Sequence, residues 1–149
     1  MIYVVRNKYQ LPISLDNLIS IDSHSSPAHL GKLENAVDFV ALENTTVLAA
    51  AAGTVTYVKD DSEIGGPSIN FWNYSNFISI KHQNEEYTRY DHLAFESSNV
   101  RVGEIVNAGQ EIAKVGMTGF TYLPHLHFQV FIFTGPNLLE DYQTLKVDF

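Results

Sequence analysis

Two imidazoles two residues apart inside an apolar run are the residues of this chain best placed to do chemistry. The run is Pro124-His125-Leu126-His127-Phe128-Gln129-Val130. Its alternation predicts a β-strand with His125, His127 and Gln129 on one face and Leu126, Phe128 and Val130 on a core-facing side. A rigid strand carrying two imidazoles suits a division of labour: one ring nitrogen binds a divalent metal, and the other ring stays free to move protons beside it. An isolated His-x-His also occurs as a structural or surface pair, so other residues must decide between these readings.

Further ligand and proton-transfer candidates lie upstream. Asp38 is a lone carboxylate in the apolar segment Ala36-Val37-Asp38-Phe39-Val40, where an ionised group is costly unless it is paired, hydrogen-bonded or bound to metal. His29-Leu30-Gly31 precedes it. His92 stands in Tyr90-Asp91-His92-Leu93, and His82 ends the strand-like stretch before that. Taken singly, each histidine has an ordinary reading as a surface or hydrogen-bonded residue.

The elements that must position these groups read as short strands punctuated by Gly, Asn and Asp. Residues 47–52 lead into Gly53 and the β-branched segment Thr54–Val58. The four alanines there favour helix, but the run is too short and is followed at once by strand formers. Asn76–His82 and Glu86–Tyr90 flank the turn-like Gln83-Asn84 and predict a hairpin. Val100–Gly116, with glycines interrupting apolar pairs, predicts a folded-over ribbon opposite the Gly53 hairpin. The stretch between Lys59 and Ser75 holds Gly65-Gly66-Pro67 and Phe71-Trp72-Asn73-Tyr74; it reads either as a binding loop or as a surface excursion whose aromatics pack down. The expected fold is mostly β with little helix: a single antiparallel domain over residues 1–149, with a loop-walled groove. Its core spans about 24–133, between an N-terminal extension 1–23 and a C-terminal tail 137–149.

Composition narrows the function. The chain has 149 residues, enough for one domain with a sizeable core. It has no cysteine, which excludes thiol catalysis, disulfides and Cys-type zinc sites and leaves His, Asp and Glu as ligands. A net charge of −8 offers no basic surface to a phosphate backbone, so nucleic acid is not an expected partner. No segment approaches the roughly 20 apolar residues of a membrane span. The opening MIYVVRNKYQ puts an apolar patch before charge, the reverse of a secretory signal. The expectation is a protein that works inside its cell or leaves by a route the sequence does not display.

In order, the blocks resemble the zinc metallopeptidases of family M23, the lysostaphin- and LytM-like peptidoglycan endopeptidases. The resemblance runs from His24 to Val130. It rests on the His and Asp of a first motif, the Val47–Val58 block, Asn76 with Ile78-Ser79-Ile80-Lys81-His82, Tyr90-x-His92-Leu93, the Val100–Ala113 ribbon, Gly116-Met117-Thr118-Gly119, and Pro124–Phe128. It implies a duplicated-hybrid-motif fold and a zinc ion on His29, Asp38 and His127. It also implies His92 and His125 as auxiliary catalytic histidines, and a peptide or peptidoglycan substrate in a groove lined by the Lys59–Ser75 loop, Asn76, Phe120 and Tyr122.

One departure stands out. The first motif of that family most often has three residues between its histidine and aspartate, whereas eight separate His29 from Asp38. Glu34 occupies the usual spacing, and Glu34 or His24 is the alternative ligand. The widened motif also motivates a second reading, a degenerate binding module without turnover. A third reading, a swivelling-barrel carrier or a histidine-phosphorylated sugar phosphotransferase domain, accounts for the ribbon and for two histidines but leaves Asp38 unused.

Overall fold

The computed structural model of the chain describes residues 3–23 and 29–149. In chain order its strands are β1 (Leu18–Asp22), β2 (Val37–Ala41), β3 (Thr46–Leu48), β4 (Gly53–Lys59), β5 (Gly65–Gly66), β6 (Phe77–Lys81), β7 (Tyr87–Asp91), β8 (Ile105–Val106), β9 (Glu111–Lys114), β10 (Gly119–Phe120), β11 (His125–Phe133) and β12 (Tyr142–Leu145). Helix among the described residues is confined to short 3-10 turns, the longest being Ile69–Tyr74. The architecture is mostly β, as the turn-punctuated sequence predicts. Among the described residues, no helix is long and apolar enough to cross a membrane.

One antiparallel sheet dominates, in the order β1-β2-β11-β7-β6-β4-β8, with β12 added to β11. The long strand β11 is its spine. One edge of β11 pairs with β7 over His127–Phe131; the other is shared end to end by β2, over His125–Phe128, and β12, over Val130–Phe133. The period-two reading of this strand holds. Leu126, Phe128 and Val130 are fully buried against a core that includes Phe39, Ile78, Ile80 and Tyr90, whereas His125 and His127 on the opposite face are half-buried.

The β6–β7 hairpin forms where the alternation places it, with Phe77 opposite Asp91 and Lys81 opposite Tyr87. The alanine run is neither helix nor continuous strand: β3 stops at Leu48, the chain bends, and β4 begins at Gly53. The ribbon does sit opposite this bend. Its arms pair outward and not with each other, β8 with β4 and β9 with β3, so they grip both flanks of the turn. Beneath the bend, Ala50 N donates to the Tyr90 hydroxyl (2.9 Å), which lies 3.0 Å from the Thr88 hydroxyl. His82 reaches that threonine with Nε2 (2.8 Å) and donates from Nδ1 to the Ala52 carbonyl (2.7 Å). His82 is therefore a buried hydrogen-bonding histidine, the ordinary role read for it. His24 lies outside the described residues.

Both chain ends reach further into the fold than the expected 24–133 core. Tyr9, Ile13 and Leu145 belong to the hydrophobic core, and Phe149 packs its ring on Phe39 and Phe128. The buried Glu86 carboxylate accepts from Arg6 N, Asn7 N and the Tyr9 hydroxyl, which ties the N-terminal segment to the start of β7. The segment after residue 137 is not a mere tail, because it supplies β12.

Candidate metal centre and active site

The strand register assembles the centre. On β11, His127 lies opposite Asp38 of β2 on one side and opposite Asp91 of β7 on the other. Directly opposed residues of an antiparallel ladder point to the same face, so residues far apart in sequence meet here without any loop having to reach. His127 Nδ1 is 3.2 Å from Asp38 Oδ1, and His29 Nε2 approaches the same oxygen at 3.2 Å. One ligand atom from each of His29, Asp38 and His127 lies within 4.8 Å of the others. His125, two residues before His127, brings its Nε2 to 3.8 Å from Asp38 Oδ1. Glu34 stands apart: it is exposed and ends the turn Gly31–Leu33, so the residue at the commoner spacing is not in this group.

Hydrogen-bond acceptors fix the tautomers. His127 Nε2 donates to Gln129 Oε1 (3.0 Å), which leaves the neutral ring's Nδ1 lone pair aimed at a carboxylate oxygen. Two acceptors so placed repel unless a proton or a metal cation sits between them. The donor set of two imidazoles and one carboxylate fits zinc or a similar divalent ion. Burial alone would raise the Asp38 carboxyl, but hydrogen bonds with His127 and His29 outweigh it and hold the group well below the usual carboxylate range. Burial alone would lower His127, yet the Asp38 hydrogen bond and the Asp91 charge raise it above its ordinary value.

The second pair of histidines stands beside this group. The His92 and His125 rings are 4.6 Å apart, centre to centre, and His92 is 6.2 Å from the His127 ring. His92 Nδ1 donates to the Thr118 carbonyl (2.7 Å), and His125 Nδ1 donates to the Leu123 carbonyl (2.9 Å), with the Thr121 hydroxyl 3.0 Å away. A carbonyl only accepts, so each neutral ring carries its proton on Nδ1 and keeps Nε2 free. Burial, reinforced by the neighbouring His125, pushes His92 down to about 4. The His92 backbone is left-handed (φ 66°) and is held there from both sides. His92 N donates to Ser75 Oγ (3.0 Å), its carbonyl accepts from Gly116 N (2.9 Å), and Ser75 in turn donates to Asp91, which Arg89 pairs at 2.6 Å.

Loops stand around these side chains. The segment after Lys59 and the segment after Thr118 meet as the parallel pair β5–β10, and the Trp72, Phe120 and Tyr122 rings run in sequence at 6.3 and 5.5 Å. Tyr122 and Trp72 are largely exposed, at 70% and 52%, so this wall is open to a ligand. Asn76 is a correction to the groove expected from sequence. It is fully buried, accepts from Ser62 N (3.0 Å), and donates to the Ser62 and Leu93 carbonyls. It ties the loop to the sheet and has no surface to offer a substrate. Sequence reasoning assigned no role to Gln129, Asp91 or Thr118, and named Ser75 and Thr121 only within the stretches expected to line the groove. Only Gln129 and Asp91 left a signal, through strand periodicity.

Comparison with known proteins places the fold in a family. Residues 32–137 match the model of peptidase family M23. The chain belongs to peptidase family M23. His29 lies three residues before the matched stretch. Among M23 relatives, the chain is 32% identical over 102 residues to the peptidoglycan DD-endopeptidase ShyB of Vibrio cholerae, covering 68% of this chain and 21% of that one. It spans 18–21% of the length of the first curated relatives it matches. The catalytic domain of the antimicrobial peptidase lysostaphin from Staphylococcus simulans is 28% identical, with a TM-score of 0.55 over 77% of this chain and 80% of that one. A zinc containing peptidase from Vibrio cholerae is 27% identical, with a TM-score of 0.53 over 87% of this chain and 35% of that one.

Proposed function

We propose that this chain is a zinc-dependent endopeptidase that hydrolyses peptidoglycan stem or cross-bridge peptides. The observation that carries the reading is the convergence of His29 Nε2 and His127 Nδ1 on one Asp38 oxygen, each at 3.2 Å, beside the His92–His125 pair. His29, Asp38 and His127 would hold the metal, and three protein donors are the number expected of a catalytic zinc, where a structural one has four. Zinc bound there supplies a Lewis acid for the scissile carbonyl and lowers the pKa of water to about 7. His92 and His125, with Nδ1–H committed to carbonyls, each offer an Nε2 lone pair that can take the proton of the attacking water; the ring so protonated then donates to the developing oxyanion or passes that proton to the leaving amine. The Trp72–Phe120–Tyr122 wall would seat the substrate. Family membership and the peptidoglycan endopeptidase named among the relatives support the substrate class.

The widened first motif, which favoured a binding module without turnover, does not keep His29 from Asp38. The deciding experiment pairs elemental analysis of the purified protein with digestion of purified peptidoglycan and of a glycine-rich peptide. One zinc per chain and cleavage that a chelator stops and zinc restores are expected. Bound zinc with no cleavage of either substrate would establish the binding module instead.

A further inference from the structure

The ladder alone aligns Asp38 with His127, but His29 lies on no strand. It precedes the 3-10 turn Gly31–Leu33, with eight residues between it and Asp38. A ligand carried by a loop must be ordered before it can bind, and that ordering costs affinity unless the surrounding fold supplies it.

We propose that β12 is a clamp that orders this segment, with Thr144 the positioning residue that sets His29 for metal binding; this rests on reading His29, Asp38 and His127 as a metal site. Thr144 is fully buried, and its hydroxyl serves the turn twice. It accepts from Asn35 N (3.1 Å) and donates to the Lys32 carbonyl (2.7 Å). Asn35 Nδ2 donates to the Thr144 carbonyl (3.0 Å), and Lys32 Nζ reaches the Glu140 carbonyl (3.0 Å) over the Tyr142 ring. The sheet explains why this clamp falls where it does. β12 and β2 share one edge of β11 end to end, so the end of β12 abuts the start of β2, and the chain arriving from His29 must enter at that junction. Gly31 permits the entry, since its φ of +59° reverses the chain as few other residues could. Both partners lie outside the stretch that matches the family model: His29 before it, β12 after it.

The test titrates zinc alone, against a chromophoric competing chelator, into the full chain and its variants. Thr144→Val removes both hydroxyl bonds at nearly constant volume and should weaken zinc binding on the order of 10- to 100-fold, as loss of a group that orients a ligand does. Thr144→Ser, which keeps the hydroxyl, should bind within about threefold of the parent. Ile112→Ala, a core truncation in β9 remote from the clamp, should lose stability but leave the zinc affinity of the folded protein unchanged. If Thr144→Val does not fold, Asn35→Ala takes its place, with the same direction expected. Native zinc affinity in Thr144→Val, or an equal loss in Ile112→Ala, overturns the clamp. Chelator-sensitive peptidoglycan cleavage by the parent would still stand in that case, whereas a parent chain that binds no zinc overturns both proposals.

Discussion

At the scale of single residues, His127 is held between two carboxylates, Asp38 across from β2 and Asp91 across from β7, and its second nitrogen is spoken for by Gln129. Removing it should remove the metal. His127→Ala is expected to lose zinc by elemental analysis, whereas His92→Ala and His125→Ala should keep zinc while cleavage falls by a factor on the order of 10² to 10⁴. A chain that loses zinc on His125→Ala and keeps it on His127→Ala would reverse the roles on the strand. A second prediction follows from burial. His92 is held down to about 4 against an ordinary 6.5, and His82 is lowered by the same cause. Between those values the unfolded chain binds more protons than the native one, so stability rises with pH there. For the metal-free protein, the urea midpoint should fall as the pH drops from about 6.5 to about 4, whereas above about 6.5 His127, raised by Asp38, adds the opposite slope and its contribution is lost as the pH rises. His92→Asn, which tolerates the left-handed backbone, should flatten that slope. The pair on β11 and Asp38 were legible because alternation announces which side chains share a face. His29 was legible only as a fragment of a motif, since spacing alone pointed to Glu34. Ser75, Thr118 and Thr121 act through backbone groups or as partners of partners, and no residue pattern encodes that.

Among the elements, the β6–β7 hairpin and the β11 spine were legible because apolar alternation ended at clear turn residues. β12 was not, because Tyr142-Gln143-Thr144-Leu145 is polar and short. It is a strand because Ile132 and Phe133 carry β11 past the end of β2 and leave an edge to be paired. The glycines of the ribbon announce its bends, but the partners of its two arms, β4 and β3, are set by where the alanine bend lies in three dimensions. The loop after Lys59 depends on Asn76 in the same hidden way. Asn76→Ala would leave Ser62 N and two carbonyls without their buried partner, at a cost of about 2–4 kcal/mol. Chemical denaturation should show that loss. A midpoint equal to the parent's would mean that the loop is held by other contacts.

For the molecule as a whole, the core around Phe39, Tyr90 and Phe128 lies on the opposite face of the sheet from the histidines, so the fold does not hang on the metal. Chelation is expected to lower the melting temperature by no more than the bound ion's mass-action contribution. The strand-dominated circular dichroism spectrum should survive it at room temperature, and collapse to a coil spectrum would show that the metal is structural. The pairing of β2 with β11 has a kinetic consequence as well. It brings together positions about ninety residues apart, and sheets closed over such distances form in milliseconds to seconds, after local hairpins are in place. Metal-binding competence must then arrive in the final phase, once β2 has docked. Zinc added to the refolding buffer should leave the refolding rate unchanged and slow unfolding instead, because it meets a complete set of donors only in the native state.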